Sequence, residues 1–226
     1  MATDAPWGMT TAIPMHDAHH LLTLAQWLSP AYPVGAFAWS HGLERSIGRG
    51  DIRDSAGLAD WLSDVLTQGA GRSDAVLLCA AHAAKDVTPV AALAAVLAPS
   101  VERRMETLQQ GAAFAATTRA VWQLDLPDMA YPVAVGRAAR LMGIDVKPTA
   151  QLWLQAFAGN LVQAAQRLMP LGQTEAQRLL AGLAPVCIRI GAEAVQADLD
   201  DIGSATFAVD TASMQHKQQY SRIFRS

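Results

Sequence analysis

Residues 54–66 read DSAGLADWLSDVL, and this stretch decides the fold. Leu58, Trp61, Leu62, Val65 and Leu66 recur at spacings of three and four, which gathers them into one stripe on a helix. Asp60 and Asp64, with Asp51 and Arg53 before them, supply a wet face, and Asp54 or Ser55 is placed to cap the first turn. The same helical spacing recurs along most of the chain, while alternation of period two is scarce outside 207–209. The expected fold is all-α.

Working outward from this helix, His19 to Ser29 reads as a first helix stopped by Pro30, and a loop with Pro33 and Gly35 leads to a short helix near Ser40 to Ile47. After it come Ser73 to Lys85 and Pro89 to Leu97, both rich in small apolar residues and expected deep in a bundle. A long helix from about Ser100 to Gln123 carries Glu102, Arg103, Arg104 and Glu106 early, so its first turns are expected exposed and its later turns buried. Pro132 to Met142 and Thr149 to Leu168 follow, then a helix from Thr174 to Gly182 and another from Pro185 to about Asp198. The linkers are short and no repeat period stands out, so the expectation is a single domain, residues 1–226, built as a bundle of about ten helices, with 1–15 and about 219–226 flexible in the free protein.

With 51% hydrophobic and 16% charged residues over 226 positions, the chain can bury a large core. A net charge of -3 gives no general attraction to nucleic acid or anionic lipid, so protein partners are expected. Cys79 and Cys187 sit in apolar runs, as buried reduced thiols do, and the first fourteen residues lack the basic and apolar parts of a secretory signal; a cytoplasmic location is expected. The charge-free stretch from Pro148 to Gln166 contains five amide side chains and reads as a water-soluble helix, not a membrane span.

Chemistry is sparse. No glycine precedes a lysine, which excludes a phosphate-binding P-loop, and there is neither a His-Glu-x-x-His nor a Cys-x-x-Cys pattern. His16, His19 and His20 share one side of a helix and are weak candidate metal ligands. Ser40, His41 and Glu44 are too close in sequence to align as a nucleophile, base and orienting acid. Arg103 and Arg104 pose two readings: an arginine finger offered to a GTPase, or a solvated helix face paired locally with Glu102 and Glu106. These features point away from an enzyme and toward an interaction protein.

The chain end is unusual, crowding Met214, His216, Lys217, Tyr220, Arg222, Phe224 and Arg225 into a polar tail. Such anchors at a terminus suggest a docking element, and the four-residue spacing of Tyr220 and Phe224 would pair them on a helix with Arg222 and Arg225 left to meet carboxylates.

Four blocks carry a resemblance. Ser29-Pro30-Ala31-Tyr32-Pro33-Val34-Gly35-Ala36-Phe37 followed by Ser40-His41-Gly42-Leu43-Glu44 resembles the N-terminal signature of the UreF family of urease accessory proteins. Tyr131 to Gly136 and Arg167 to Gln173 agree, as does the end, Ala212 to His216 with Gln219 to Ser226. The departures are Ala36, where the family usually has a second glycine and which narrows the freedom of that loop, and Gln215, commonly arginine.

The resemblance implies a dimeric, non-catalytic chain that binds the accessory protein UreD (UreH) and the GTPase UreG and helps deliver nickel to apo-urease. It implies no tightly bound cofactor, nickel being handled by the complex. It also implies a UreD-facing surface made from the loop and the tail; the matching positions are Pro33, Val34, Gly35, Phe37, Ser40, Glu44, Met214, His216, Tyr220, Ser221, Arg222, Phe224 and Arg225. Two rival readings are a regulator of GTP hydrolysis by the partner GTPase and an independent nickel chaperone using His16, His19 and His20.

Overall fold

The structure is a computed structural model that describes residues 15–203 and 223–225, with the backbone alone for Met15 and His16. Among these residues there are nine α-helices, two short 3-10 turns and no strand. The helices are α1 (Met15–Trp27), α2 (Leu43–Gly48), α3 (Ser55–Gln68), α4 (Ala70–Ala83), α5 (Thr88–Leu97), α6 (Val101–Trp122), α7 (Tyr131–Leu141), α8 (Val146–Leu168) and α9 (Gln173–Ala194). The turns are Ala36–Ala38 and Leu199–Asp201.

Local chemistry explains the starts. The Asp54 carboxylate accepts the Gly57 N–H at 2.9 Å and opens α3, whose Leu58, Leu62, Val65 and Leu66 are buried as one stripe. Ser100 accepts the Arg103 N–H at 3.0 Å and opens α6. Asp145 caps α8, which therefore starts three residues before the expected Thr149; Pro148 falls in its first turn, where a missing N–H costs no helical bond.

The ten expected helices are nine because the last two are one. Pro185 lies inside α9, where it costs about 3 kcal/mol, yet Ala176 and Leu183 before it and Cys187, Ile190 and Ala194 after it all bury one continuous face. That face lies along α8, held also by Gln151, whose amide donates to the Ile188 carbonyl at 3.0 Å. Burial on both sides of the proline keeps the helix unbroken.

α4 runs through the centre, with Val76, Leu77, Leu78 and Ala81 buried against α7, α8, α9 and α3. α7 comes so close that a Cβ on Gly136 would stand 2.1 Å from the Leu78 carbonyl oxygen. Arg137 and Arg140 of α7 donate to the carbonyls of His82, Ala83, Ala84 and Lys85, supplying partners to the open C-terminal end of α4. α5, expected deep, lies outside instead: Val90 and Ala94 are buried, but Val96 and Leu97 are exposed.

α6 follows its expected polarity only in part: Val101, Arg104 and Met105 are exposed at its start and Gly111, Phe114, Ala115 and Thr118 are buried in its later turns, but the pattern is broken at both ends. Arg103, Glu106, Thr107 and Gln110 are buried in its first half, and Arg119, Ala120 and Val121 are exposed near its end. The charges can be buried because they neutralise one another and the Asp74 carboxylate of α4, as described below. A run of aromatic contacts then ties the loop after α1 to the core: Trp27 and Tyr32 both meet Phe114 at 5.5 Å, and the Tyr32 hydroxyl lies 2.8 Å from that of Thr118.

Cys79 and Cys187 are buried free thiols, burial pushing them up to about 12 and about 11. Among the described residues no helix is long and apolar enough to cross a membrane.

Candidate functional site

The loop between α1 and α2 is shaped by its backbone. Tyr32 donates its N–H to the Ser29 carbonyl at 2.9 Å, and Gly35 takes a left-handed conformation (φ 73°) that starts the Ala36–Ala38 turn. Ala36 itself has no positive φ, so its methyl imposes no strain there; Gly35 alone carries the left-handed residue of that turn. His41 (φ 59°) and Gly42 (φ 81°) then bend the chain sharply into α2, where the Ser40 hydroxyl accepts the Glu44 N–H at 3.4 Å. A histidine in this region is strained by about 1–2 kcal/mol.

The chain end docks on this loop. The Glu44 carboxylate accepts the N–H groups of Ile223 at 2.7 Å and Phe224 at 3.1 Å, and the Arg225 N–H donates to the Ala38 carbonyl at 2.8 Å. Phe224 is only 4% exposed, with the Arg167 guanidinium 4.4 Å from its ring centroid. Arg167 also donates to the Phe37 carbonyl at 2.9 Å, so one side chain bridges loop and terminus. Arg225 reaches over the Trp39 ring at 5.9 Å and toward the Gln109 amide oxygen at 3.4 Å.

Behind the loop lies a buried charge network. Arg103 bonds Asp74 of α4 and stands 3.5 Å from Glu106, whose other oxygen accepts from Gln110 at 3.2 Å. The Nδ1 of His41 lies 3.7 Å from Glu106 Oε2. Burial raises the Glu106 carboxyl, but Arg103, with the His41 and Gln110 contacts, outweighs it and holds the group below the usual carboxylate range. For Asp74 burial wins over Arg103, leaving its carboxyl raised. A cavity of about 200 Å³ separates the network from the loop, lined by Pro33, Phe37, Glu106, Tyr131, Trp153 and Phe157 among others.

A family model described as UreF matches residues 52–184. Over 207 residues the chain is 50% identical to the urease accessory protein UreF of Roseobacter denitrificans, covering 91% of this chain and 93% of that protein. It is 53% identical over 206 residues to the UreF of Cereibacter sphaeroides (strain KD131), covering 91% and 98%, and 43% identical to that of Rhodopseudomonas palustris (strain TIE-1), with both chains covered in full. The chain belongs to the UreF family of urease accessory proteins.

In this UreF-family chain the structure brings together part of the expected surface. Pro33 and Phe37 are exposed and Val34 and Gly35 half-buried, beside exposed Ile223 and Arg225. Ser40, Glu44 and Phe224 are buried within the chain, so they shape the surface and do not form it. Ile223 to Arg225, expected to be loosely held, are clasped by Glu44 and Arg167 because a carboxylate facing two N–H groups and a cation over an aromatic ring together offset the ordering of three residues. Met214, His216, Tyr220, Ser221 and Arg222 lie outside the described residues.

The Arg103 reading is corrected. At 7% exposure and paired with two carboxylates, it is neither a finger reaching outward nor part of a solvated face; Arg104 is the exposed member of the pair. His19 and His20 lie on α1 with ring centroids 6.4 Å apart, and the His16 side chain is outside the described residues.

Sequence reasoning missed Arg167 and Asp74 as partners in the site, while Glu106 was named only as a local partner of Arg103 on a solvated face. Asp74 left a signal, as the one acid in the mostly small and apolar α4.

Proposed function

We propose that this chain is a non-catalytic scaffold of urease maturation that bridges UreD and the GTPase UreG and helps deliver nickel to apo-urease. On this reading it is a single-domain, cytoplasmic homodimer that holds no cofactor tightly, the metal being cargo of the complex. The observation that carries it is the clasp of the chain end onto the 29–44 loop, which builds one surface from two distant parts of the sequence and leaves Phe37 77% exposed upon it. An aromatic side chain presented in this way at the centre of a rigid loop is a typical interface anchor.

Deleting Gln219 to Ser226 tests the reading. The helical content is expected to persist, while capture of UreD and nickel-dependent urease activation are lost; full-strength capture by the truncated chain would overturn the UreD assignment.

Between bridge and GTPase regulator, the burial of Arg103 favours the bridge, because the residue cannot reach a nucleotide without breaking its pairs with Asp74 and Glu106. GTP turnover by UreG measured with and without the chain separates the two. The independent nickel chaperone is tested by equilibrium dialysis with nickel after His16, His19 and His20 are all changed to alanine; a lost equivalent of bound nickel would support it.

A further inference from the structure

We infer that the cavity beneath the 29–39 loop is a cage for a basic side chain, lysine or arginine, carried by the accessory protein that docks on this face. The inference rests on the bridging role proposed above and names the chemistry of its anchor.

The walls come from one face of α8 and the start of α7. Trp153, Ala156, Phe157 and Asn160 are spaced at three and four residues, so all line the cavity from the same side. The Trp153 and Phe157 rings are stacked at 5.5 Å and 5°, and Tyr131 stands 6.4 Å from Trp153. Aromatic surfaces around a cavity attract cations through their negative faces.

The floor settles the sign of the charge. Glu106 lines the cavity and is buried; its Oε2 faces Arg103 and His41 at 3.5 and 3.7 Å, longer than a normal hydrogen bond, and its Oε1 accepts from Gln110. Arg103 is committed to Asp74, so two carboxylates share one guanidinium and together carry one formal negative charge more than it offsets. An acidic guest would be repelled by that charge. An apolar guest would leave the Glu106 charge facing hydrocarbon with nothing to balance it, which is unfavourable. A lysine or arginine satisfies both constraints, laying its stem along the rings and its N–H groups on the carboxylate.

The mouth is on the proposed docking face. Pro33, Val34 and Phe37 of that face line the cavity, and the Phe37 carbonyl is held by Arg167, which also covers Phe224 of the chain end.

The test uses two variants and two readouts. Glu106→Gln removes the charge, and Ala156→Phe fills the cavity without touching the charge network; circular dichroism melting checks that each folds. N-butylguanidinium titrated into the full chain, followed by ligand-observed NMR, is expected to bind saturably, with affinity reduced by about tenfold in either variant, the size of one charge-assisted contact. The affinity for UreD is expected to fall by a similar factor. Unchanged probe binding or unchanged UreD affinity in the folded variants overturns the cage. A change of oligomeric state with UreD affinity intact, seen by light scattering, assigns the cavity to a second copy of the chain and also overturns it. If the unaltered chain does not bind UreD, the bridging role fails, and the probe titration decides the cage alone.

Discussion

Glu44 and Phe224 are 180 residues apart in sequence, and the carboxylate of the first accepts the backbone N–H of the second at 3.1 Å and that of Ile223 at 2.7 Å. Both bonds are charge-assisted, and Glu44 and Phe224 are both buried. The contact reads backbone and not side chain, so it fixes where the chain end lies whatever residues surround it.

Glu44→Gln tests that fixation. The variant keeps the shape but loses the charge and turns one acceptor into a donor facing an N–H, and hydrogen bonds to charged groups are worth about 1.5–3 kcal/mol each. Amide hydrogen exchange at Ile223 and Phe224 is expected to accelerate by at least about tenfold, with UreD capture weakened in parallel. Unaltered protection of these two amides would show that Phe224 burial alone holds the end.

Arg167 joins the loop to the terminus, donating to the Phe37 carbonyl and covering the Phe224 ring. Because the side chain is exposed, Arg167→Ala should cost only about 0.5–1 kcal/mol in overall stability, while exchange protection drops at the chain end and in the 36–38 turn together. Arg167→Lys should recover less than half of that protection, since an ammonium lacks the planar fork that serves both contacts. Loss at one segment without the other would refute the bridging role of this side chain.

The close approach of α7 to α4 sets a packing limit at Gly136. Alanine is the better helix former by about 1 kcal/mol, but its Cβ at 2.1 Å from the Leu78 carbonyl oxygen forces the helices apart. Gly136→Ala is therefore expected to destabilise by about 2 kcal/mol or more, lowering Tm by about 4–8 °C. Gly182→Ala, in α9 with nothing within 4 Å of the added Cβ, is the control and should stabilise by up to about 1 kcal/mol. Denaturant unfolding of the pair reads both signs at once; equal and small effects would contradict the packing argument.

What was legible in the sequence follows the range of the interactions. The α3 stripe and its Asp54 cap involve residues within one or two turns of each other, and both stand as the spacing predicts. The continuity of α9 through Pro185 depends on α8, which no local pattern around a proline can reveal. Arg103 and Glu106 look like a solvated run because their burial is licensed by Asp74, 29 residues before Arg103 and on another helix. The loop was found as a motif, yet the roles inside it were not: Glu44 reads as a surface acid until the backbone of residues 223 and 224 is placed against it.

The buried network makes a signed prediction about acid. Glu106 is held below the usual carboxylate range in the folded chain, so its contribution is complete above about pH 4.3, its ordinary value, and is lost as pH falls through the lower folded value. Asp74 is raised, so the opposite holds: its contribution is greatest when it is protonated at low pH and declines as pH rises through about 3.9, the ordinary aspartate value. Unfolding free energies measured between about pH 3 and 5.5 for the unaltered chain, Glu106→Gln and Asp74→Asn should therefore diverge. The stability difference between the unaltered chain and Glu106→Gln should grow with pH over that window, and the difference from Asp74→Asn should shrink. Slopes of the same sign would mean that the two carboxylates share Arg103 equally, and the division of roles between them would be lost.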